Sequence, residues 1–415
     1  MDEIIKIINT KNIICNIKKI KWVMIILLAL LYFDFTQSFI FLHISNGLWI
    51  KKWYLASTIV IIAIFLYKIK YFNEENTISM MIIGSSLIWF WSESNKPLLE
   101  IIKLTLLYYL PILIVYVVKE FESTDAKNLL KTILIISCIY IIINFIYIGI
   151  NEIPIHITAD DRVFYFYNET PWKNPFTEIE ISRYTFPGME HGMFFARIYI
   201  ILFMSIILFN NNSYSYIIFS ISYLAAILTA SRAAFIGFYF AIFIYLILNY
   251  LRKKNDITNF ILYFIALNII FIFTLKEYIL RHFVYLGGLD FIYENFKIKP
   301  LILTGLKNEY HLRNSSFSMP DKNITKNVFG ILEDRPLGLF YNFISDLGLM
   351  PSLLIMSSLL YLLIKKYKNI KFSNFELFQL AILIAIITKC AFNQGENEYF
   401  IWIIIGISLI KTKYV

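Results

Sequence analysis

Arginines in three widely separated stretches are the side chains of this chain best suited to chemistry. Arg183 and Arg197 bracket "SRYTFPGMEHGMFFAR" over residues 182–197, Arg232 stands in "LTASRAAFIGFY" over 228–239, and Arg313 lies in "LTGLKNEYHLRNSS" over 303–316. A guanidinium is planar, stays charged and can donate two parallel hydrogen bonds to phosphoryl oxygens. Glu190 and His311 occur in the same stretches and are titratable groups of the kind that move protons. The residues thus have the composition of a phosphate-handling site. Each also has a plainer reading. Arg232 can be a snorkelling side chain that marks a helix end. Arg197 can hold helices together through an ion pair with Asp34 or Asp346. Arg313 and Arg335 can simply face water, and His191 alone reads as an ordinary packed histidine.

The elements that must position these residues follow from composition. Of 415 residues, 59% are hydrophobic, 18% aromatic and only 16% charged. Soluble domains carry about 25% charged and about 45–50% apolar residues, so lipid is the simpler solvent for this chain. The formal charge of +9 falls as short lysine clusters between apolar segments. Membrane orientation leaves that pattern, whereas a nucleic-acid surface would gather the charge on one face. Cys15, Cys138 and Cys390 lie in the N-terminal tail or in apolar segments and form no disulfide or metal-ligand pattern. Lys18, Lys19 and Lys21 lead into an apolar stretch with no small-residue cleavage site, so that stretch is expected to remain as the first membrane helix.

Apolar runs long enough to span a bilayer place helices near 22–42, 53–69, 77–92, 98–118, 129–150, 187–209, 214–230, 232–250, 257–275, 336–364, 374–392 and 397–411. Only a tight turn separates the seventh from the eighth. The expected fold is all-α: one polytopic membrane domain over residues 1–415, with about twelve transmembrane helices. With the N-terminus inside, the inner turns hold Lys68 and Lys70, then Lys119, Lys127 and Lys131, then Arg252, Lys253 and Lys254, then Lys365, Lys366, Lys368 and Lys371, then Lys411 and Lys413. Lys51 and Lys52 are the exceptions outside, and the inner "NNNS" turn at 210–213 has no basic residue. Shifting the register by one helix would put most of these clusters outside, so both termini are expected in the cytoplasm.

Two long connections, 151–186 and 276–335, then face the external or periplasmic side. The first is acidic but includes Arg162, Lys173 and Arg183, and its aromatics argue against plain disorder. The second contains Arg281, His282, His311, Arg313 and Arg335. Loops beyond about 12–15 residues in a compact protein are usually functional or disordered. Pro187 and Gly188 make a natural helix start, which puts Glu190 and Arg197 on one face about 10 Å apart and Arg197 roughly 15 Å into the membrane. Arg232 falls at the outer ends of the seventh and eighth helices, so the arginine-bearing segments all reach the same face. No Walker loop, HExxH or GxSxG is present, and five scattered histidines have no metal-ligand spacing.

These residues resemble the O-antigen polymerase and ligase superfamily. "LTASRAAFIGFYFAIFIY" looks like its Ser-Arg helix signature, "SRYTFPGMEHGMFFARIYIIL" like the arginine-led entry into the preceding helix pair, and "GLFYNFISDLGLMPSLLI" like the segment after its large external loop. The similarity runs from Arg183 to Leu354, together with the topology. It implies a glycan carried on undecaprenyl diphosphate at the outer face of the bacterial cytoplasmic (inner) membrane, and a metal-independent, inverting glycosyl transfer that uses no cofactor. The partners implied are the undecaprenyl-diphosphate-linked oligosaccharide, membrane lipid, a flippase and a chain-length regulator, with no nucleic acid. On this reading Arg183, Glu190, Arg232, His311 and Arg313 are catalytic candidates, with Glu190 or His311 as the base for the acceptor hydroxyl. Arg162, Arg197, Arg281, Arg335, Tyr341 and Asn342 are candidates for substrate binding.

Within the superfamily, polymerases join repeat units, while ligases move the finished chain to the lipid A core of lipopolysaccharide. Ligases typically carry a histidine before the asparagine of the last motif. Here Tyr341 precedes Asn342, which favours a polymerase, and His311 as a substitute base keeps the ligase open. A lipid-linked oligosaccharide flippase is the alternative from another class. It would use Arg197 within its spans, has less need of two long outer loops, and should carry an inverted repeat that is not visible here.

Overall fold

The computed structural model describes residues 19–33, 52–67, 74–93, 97–150, 156–159, 162–165, 172–173, 180–181, 191–209, 212–229, 231–252, 258–275, 343, 347, 349–368, 373–392 and 399–411. Among them the chain is helical apart from two short antiparallel strand pairs. The helices are α1 (residues 19–32), α2 (Lys52–Tyr67), α3 (Glu74–Glu93), α4 (Leu98–Lys119) and α5 (Ser123–Ile150). After the first long connection come α6 (His191–Arg197), α7 (Tyr199–Phe203), a π-helical turn (Met204–Leu208), α8 (Ser213–Leu228), α9 (Arg232–Arg252) and α10 (Thr258–Thr274). The last three are α11 (Leu349–Tyr367), α12 (Asn374–Phe392) and α13 (Tyr399–Leu409). Each apolar run marked in the sequence contains a helix. Two stretches, Ile101–Lys119 and Ala233–Leu251, are by length and composition enough to cross a membrane.

Local chemistry explains several boundaries. Ser373 and Glu376 form a capping box at the start of α12: the Glu376 amide donates to Ser373 Oγ at 3.2 Å, and the Ser373 amide donates to Glu376 Oε2 at 2.9 Å. Asn212 caps α8 by accepting from the Tyr214 amide at 3.3 Å. The expected tight turn between α8 and α9 is present. Thr229 closes α8 through its hydroxyl on Ala226 O at 2.7 Å and also accepts from the Ser231 amide at 3.3 Å.

The expected helix over 187–209 is not continuous. Its first described segment ends at Arg197, whose carbonyl accepts the Tyr32 hydroxyl at 2.6 Å. The Ile198 amide is shared between the carbonyls of Phe194 (3.3 Å) and Phe195 (3.1 Å). Eleven residues further on, the Phe209 amide reaches back five residues to Met204 O at 3.1 Å, which is the hydrogen bond of a π-turn. The connection 151–186 holds strands that the sequence pattern does not reveal. They are β1 (His156–Ala159) paired with β2 (Arg162–Tyr165), and β3 (Trp172–Lys173) paired with β4 (Glu180–Ile181).

Every residue of α13 is buried, and α4, α11 and α12 pack around it. A helix apolar on all sides needs neighbours on all sides. Trp402 at its centre meets Phe343 edge-to-face, and Gly406 lets α4 approach so closely that an added Cβ would lie 2.7 Å from Val118 Cβ. The outward faces are apolar too. Ile61, Ile88, Phe243 and Phe273 all stand exposed on the helices that ring the core.

The two ends of the bundle differ in charge chemistry. At one end Glu75 receives Lys119 and Lys411, each at 2.9 Å, and Lys21 pairs with Asp125 at 2.9 Å. Desolvation raises the Glu75 carboxyl, but the hydrogen bonds and charges of Lys119 and Lys411 outweigh it, so Glu75 titrates below its ordinary value. Lys366 Nζ donates to Ile410 O at 2.6 Å, and Gln379 Nε2 donates to Ile407 O at 2.6 Å and Ile410 O at 3.0 Å, which satisfies two carbonyls that the end of α13 leaves open. The lysine-rich turns Lys119, Lys365–Lys366 and Lys411 therefore gather at a single end.

Candidate functional site

The candidate site lies at the other end, where α1, α6, α9, α12 and α13 converge. Arg197 is the last residue of α6 and is 2% exposed. Its Nε donates to Tyr32 O at 3.0 Å, and its guanidinium stacks over the Phe400 ring at 4.6 Å from the centroid. Tyr32 and Arg197 thus exchange hydrogen bonds in both directions, which fixes the guanidinium against α1 and the start of α13. Asp34 and Asp346, the carboxylates expected to pair with it, lie outside the described residues.

A second buried cation packs against the same helix. Lys389, in the last turn of α12, is fully buried, and its amine lies 3.0 Å from Met193 Sδ on α6. Met193 and Arg197 are four residues apart on one helix, so their Cβ atoms lie about 5–6 Å from each other. Lys389 therefore packs against the helix that ends in Arg197. Sequence reasoning singled out Arg197 and passed over Lys389. The signal was present, since "IITKCAF" puts one lysine inside an otherwise apolar run.

The start of α9 packs against the same pair of helices. The Tyr199 hydroxyl donates to Ala234 O. Gly237 lies directly over the α12 turn that ends in Lys389: a Cβ there would be 2.5 Å from Ala385 O and 3.2 Å from the Lys389 amide. Small residues at the crossing, Ala234, Gly237 and Ala241 against Ala381 and Ala385, allow this approach. Ser231, 3% exposed, gives the carbonyl that accepts the Phe235 amide at 3.1 Å and so opens the helix. Arg232 is the first residue of α9. Unpaired amides and the positive end of the helix dipole favour an anion at such a terminus.

The structure packs α6, which ends at Arg197, against the first turns of α9, where the Phe195 and Phe235 rings meet edge-to-face at 4.7 Å. Arg162 is placed at the start of β2, with its backbone opposite Ala159. Arg183, Glu190, Arg281, His311, Arg313, Arg335, Tyr341 and Asn342 lie outside the described residues. No protein-family model matches this chain, and neither does any curated protein or solved structure.

Proposed function

We propose that this chain is a polytopic membrane glycosyltransferase of the polymerase type. It joins oligosaccharide repeat units carried on undecaprenyl diphosphate at the outer face of the bacterial cytoplasmic membrane. The observation that carries the reading is the buried Arg197 at the bundle end where α9 begins on Ser231 and Arg232. A charged side chain is costly to place within a membrane-spanning bundle and by default marks a functional site, and stabilising a diphosphate leaving group is a use that fits a fixed guanidinium. In this reading the helices cross the membrane twelve times, with residues 151–186 and 276–335 outside and both termini in the cytoplasm. The apolar outer faces of α2, α3, α9 and α10 and the lysine-rich turns at the opposite end support that orientation.

Transfer then runs as follows. An acceptor sugar hydroxyl attacks the anomeric carbon of the lipid-linked donor, its proton passes to Glu190 or His311, and the sugar–phosphate bond breaks. The released undecaprenyl diphosphate carries the negative charge that the arginines stabilise, and the sugar inverts. The glycan profile of a strain lacking the protein tests this. A lost polymerase leaves the surface acceptor bearing a single repeat unit. Long chains accumulating on undecaprenyl diphosphate over a bare acceptor would reassign the protein as a ligase. Single units trapped facing the cytoplasm would make it a flippase.

A further inference from the structure

The hydrogen bonds that hold α10 single out three further side chains. We propose that Tyr223, Tyr239 and Asn268 are positioning residues for transfer: together they lock the outer half of α10 onto the α8–α9 hairpin, beneath the Arg232 start of α9, and the reaction depends on that fit. The identity of the reaction rests on the proposed function, whereas the lock rests on geometry alone.

From Phe264 to Phe273 α10 reads "FIALNIIFIF", an apolar run broken by one polar side chain, Asn268. The Asn268 amide nitrogen donates to Phe264 O at 2.7 Å, one turn back on the same helix. Its oxygen accepts from Tyr223 of α8 at 2.7 Å and from Tyr239 of α9 at 3.0 Å, and the two hydroxyls also meet each other. A carbonyl oxygen has two lone pairs and can take both donors. A single side chain of α10 thereby ties two other helices. Tyr263, whose hydroxyl meets Ser220 Oγ and donates to Tyr216 O at 3.1 Å, adds a rung to α8 nearer the start of α10. Between these rungs Phe260, Phe264 and Phe271 meet Phe219 and Tyr223 as rings with centroids 5.6 to 6.1 Å apart. Such ring contacts survive small slides, and between helices solvated by lipid no hydrophobic force selects one register. Directional hydrogen bonds do select one.

The lock stands where it can act on the site. Tyr239 is seven residues from Arg232, roughly 10 Å along α9, and Asn268 is six residues, about 9 Å, before the Thr274 end of α10. Phe235, in the first turn of α9, lies 5.6 Å from the Tyr239 ring and 6.4 Å from the Tyr223 ring, and it also meets Phe195 of α6 at 4.7 Å. A shift of α10 is therefore passed to the start of α9 and to α6, the helix that ends in Arg197. Polar groups within a membrane bundle mark function by default. These three satisfy one another, which suits holding helices in place rather than binding a ligand. Misplacing reacting groups by about 1 Å can cost about 100-fold in rate.

The test uses the full chain in phosphatidylcholine nanodiscs, with spin labels carried on unnatural amino acids at Ile88 of α3 and Phe273 of α10, both exposed. Wild type should give one narrow distance distribution. Asn268→Leu, and separately the Tyr223→Phe/Tyr239→Phe pair, which keeps both rings, should shift or broaden it by about 2 Å, the scale of a helix shift. Both variants should hold a Tm within a few degrees of wild type. With undecaprenyl-diphosphate-linked repeat units as substrate, kcat should fall about tenfold or more while KM stays within about twofold, because alignment is lost and substrate contacts are not. Combining all three changes should cost no more than Asn268→Leu alone, since each breaks the same lock. An unchanged distance distribution in both variants would overturn the proposal, and so would an altered distribution with wild-type kcat. Failure of both variants to fold would reduce the triad to helix packing and overturn it as well. A wild type without transfer activity would sink the polymerase reading, and the distances would then decide the lock by themselves.

Discussion

Gly237→Leu should leave little or no folded protein. A Cβ at this position would lie 2.5 Å from the Ala385 carbonyl oxygen, 3.0 Å from the Tyr199 hydroxyl and 3.2 Å from the Lys389 amide. The first and third of these are backbone atoms of α12, which cannot rotate away. Relief requires α9 and α12 to separate, and separation unpacks Ala234, Ala241, Ala381 and Ala385 along the whole crossing. Overpacking a single site costs about 1–3 kcal/mol. A leucine against backbone should exceed that range, which is a large share of the roughly 5–15 kcal/mol that holds a typical domain together. Gly84 provides the control, because a Cβ there meets nothing within 4 Å. Gly84→Ala should be neutral or stabilising by up to about 1 kcal/mol, the usual gain for removing a mid-helix glycine. Size-exclusion profile and Tm in detergent measure both. Monodisperse Gly237→Leu with wild-type Tm would show that the α9–α12 crossing is looser than described.

The second large effect is expected at Arg232. If its fork binds the diphosphate, Arg232→Lys keeps the charge, loses bidentate geometry and should lose most polymerisation. Arg232→Ala should lose about 100-fold or more, the scale seen when one charge-stabilising donor is removed from a transfer site. Neither change should lower expression, since α9 opens on the Ser231 carbonyl and packs against α12 through Gly237. Surface glycan length at matched expression is the readout. Wild-type chain length from both variants would reduce Arg232 to a helix-end anchor.

How much of this was legible in the sequence depends on whether the determinant is local. The α8–α9 boundary was readable because "LTASR" places Thr229 and Ser231, both good at ending or opening helices, in an apolar run. Helix positions followed from hydropathy alone for the same reason. The break at Arg197 was not readable. It depends on a tyrosine hydroxyl 165 residues away, and hydropathy over 187–209 runs on unbroken. Lys389 was missed because a lysine near a helix end looks the same in sequence whether its stem turns outward to water or inward to Met193. The strands in the first long connection escaped because four-residue and two-residue segments are too short for alternation to register. Tertiary contacts, not local pattern, decide each of these. Of the arginine-bearing segments expected from topology to converge on one face, the described residues contain Arg197 and the backbone at the start of α9.

The central claim is that this chain extends a glycan by transfer from undecaprenyl diphosphate, and reconstitution tests it most directly. The purified protein is placed in nanodiscs with undecaprenyl-diphosphate-linked repeat units and excess chelator, and products are resolved by size. The account predicts a ladder that grows by one repeat unit per step, with released undecaprenyl diphosphate matching the number of steps. Repeat units left unjoined by folded protein, or joined only when a divalent cation is supplied, would contradict it.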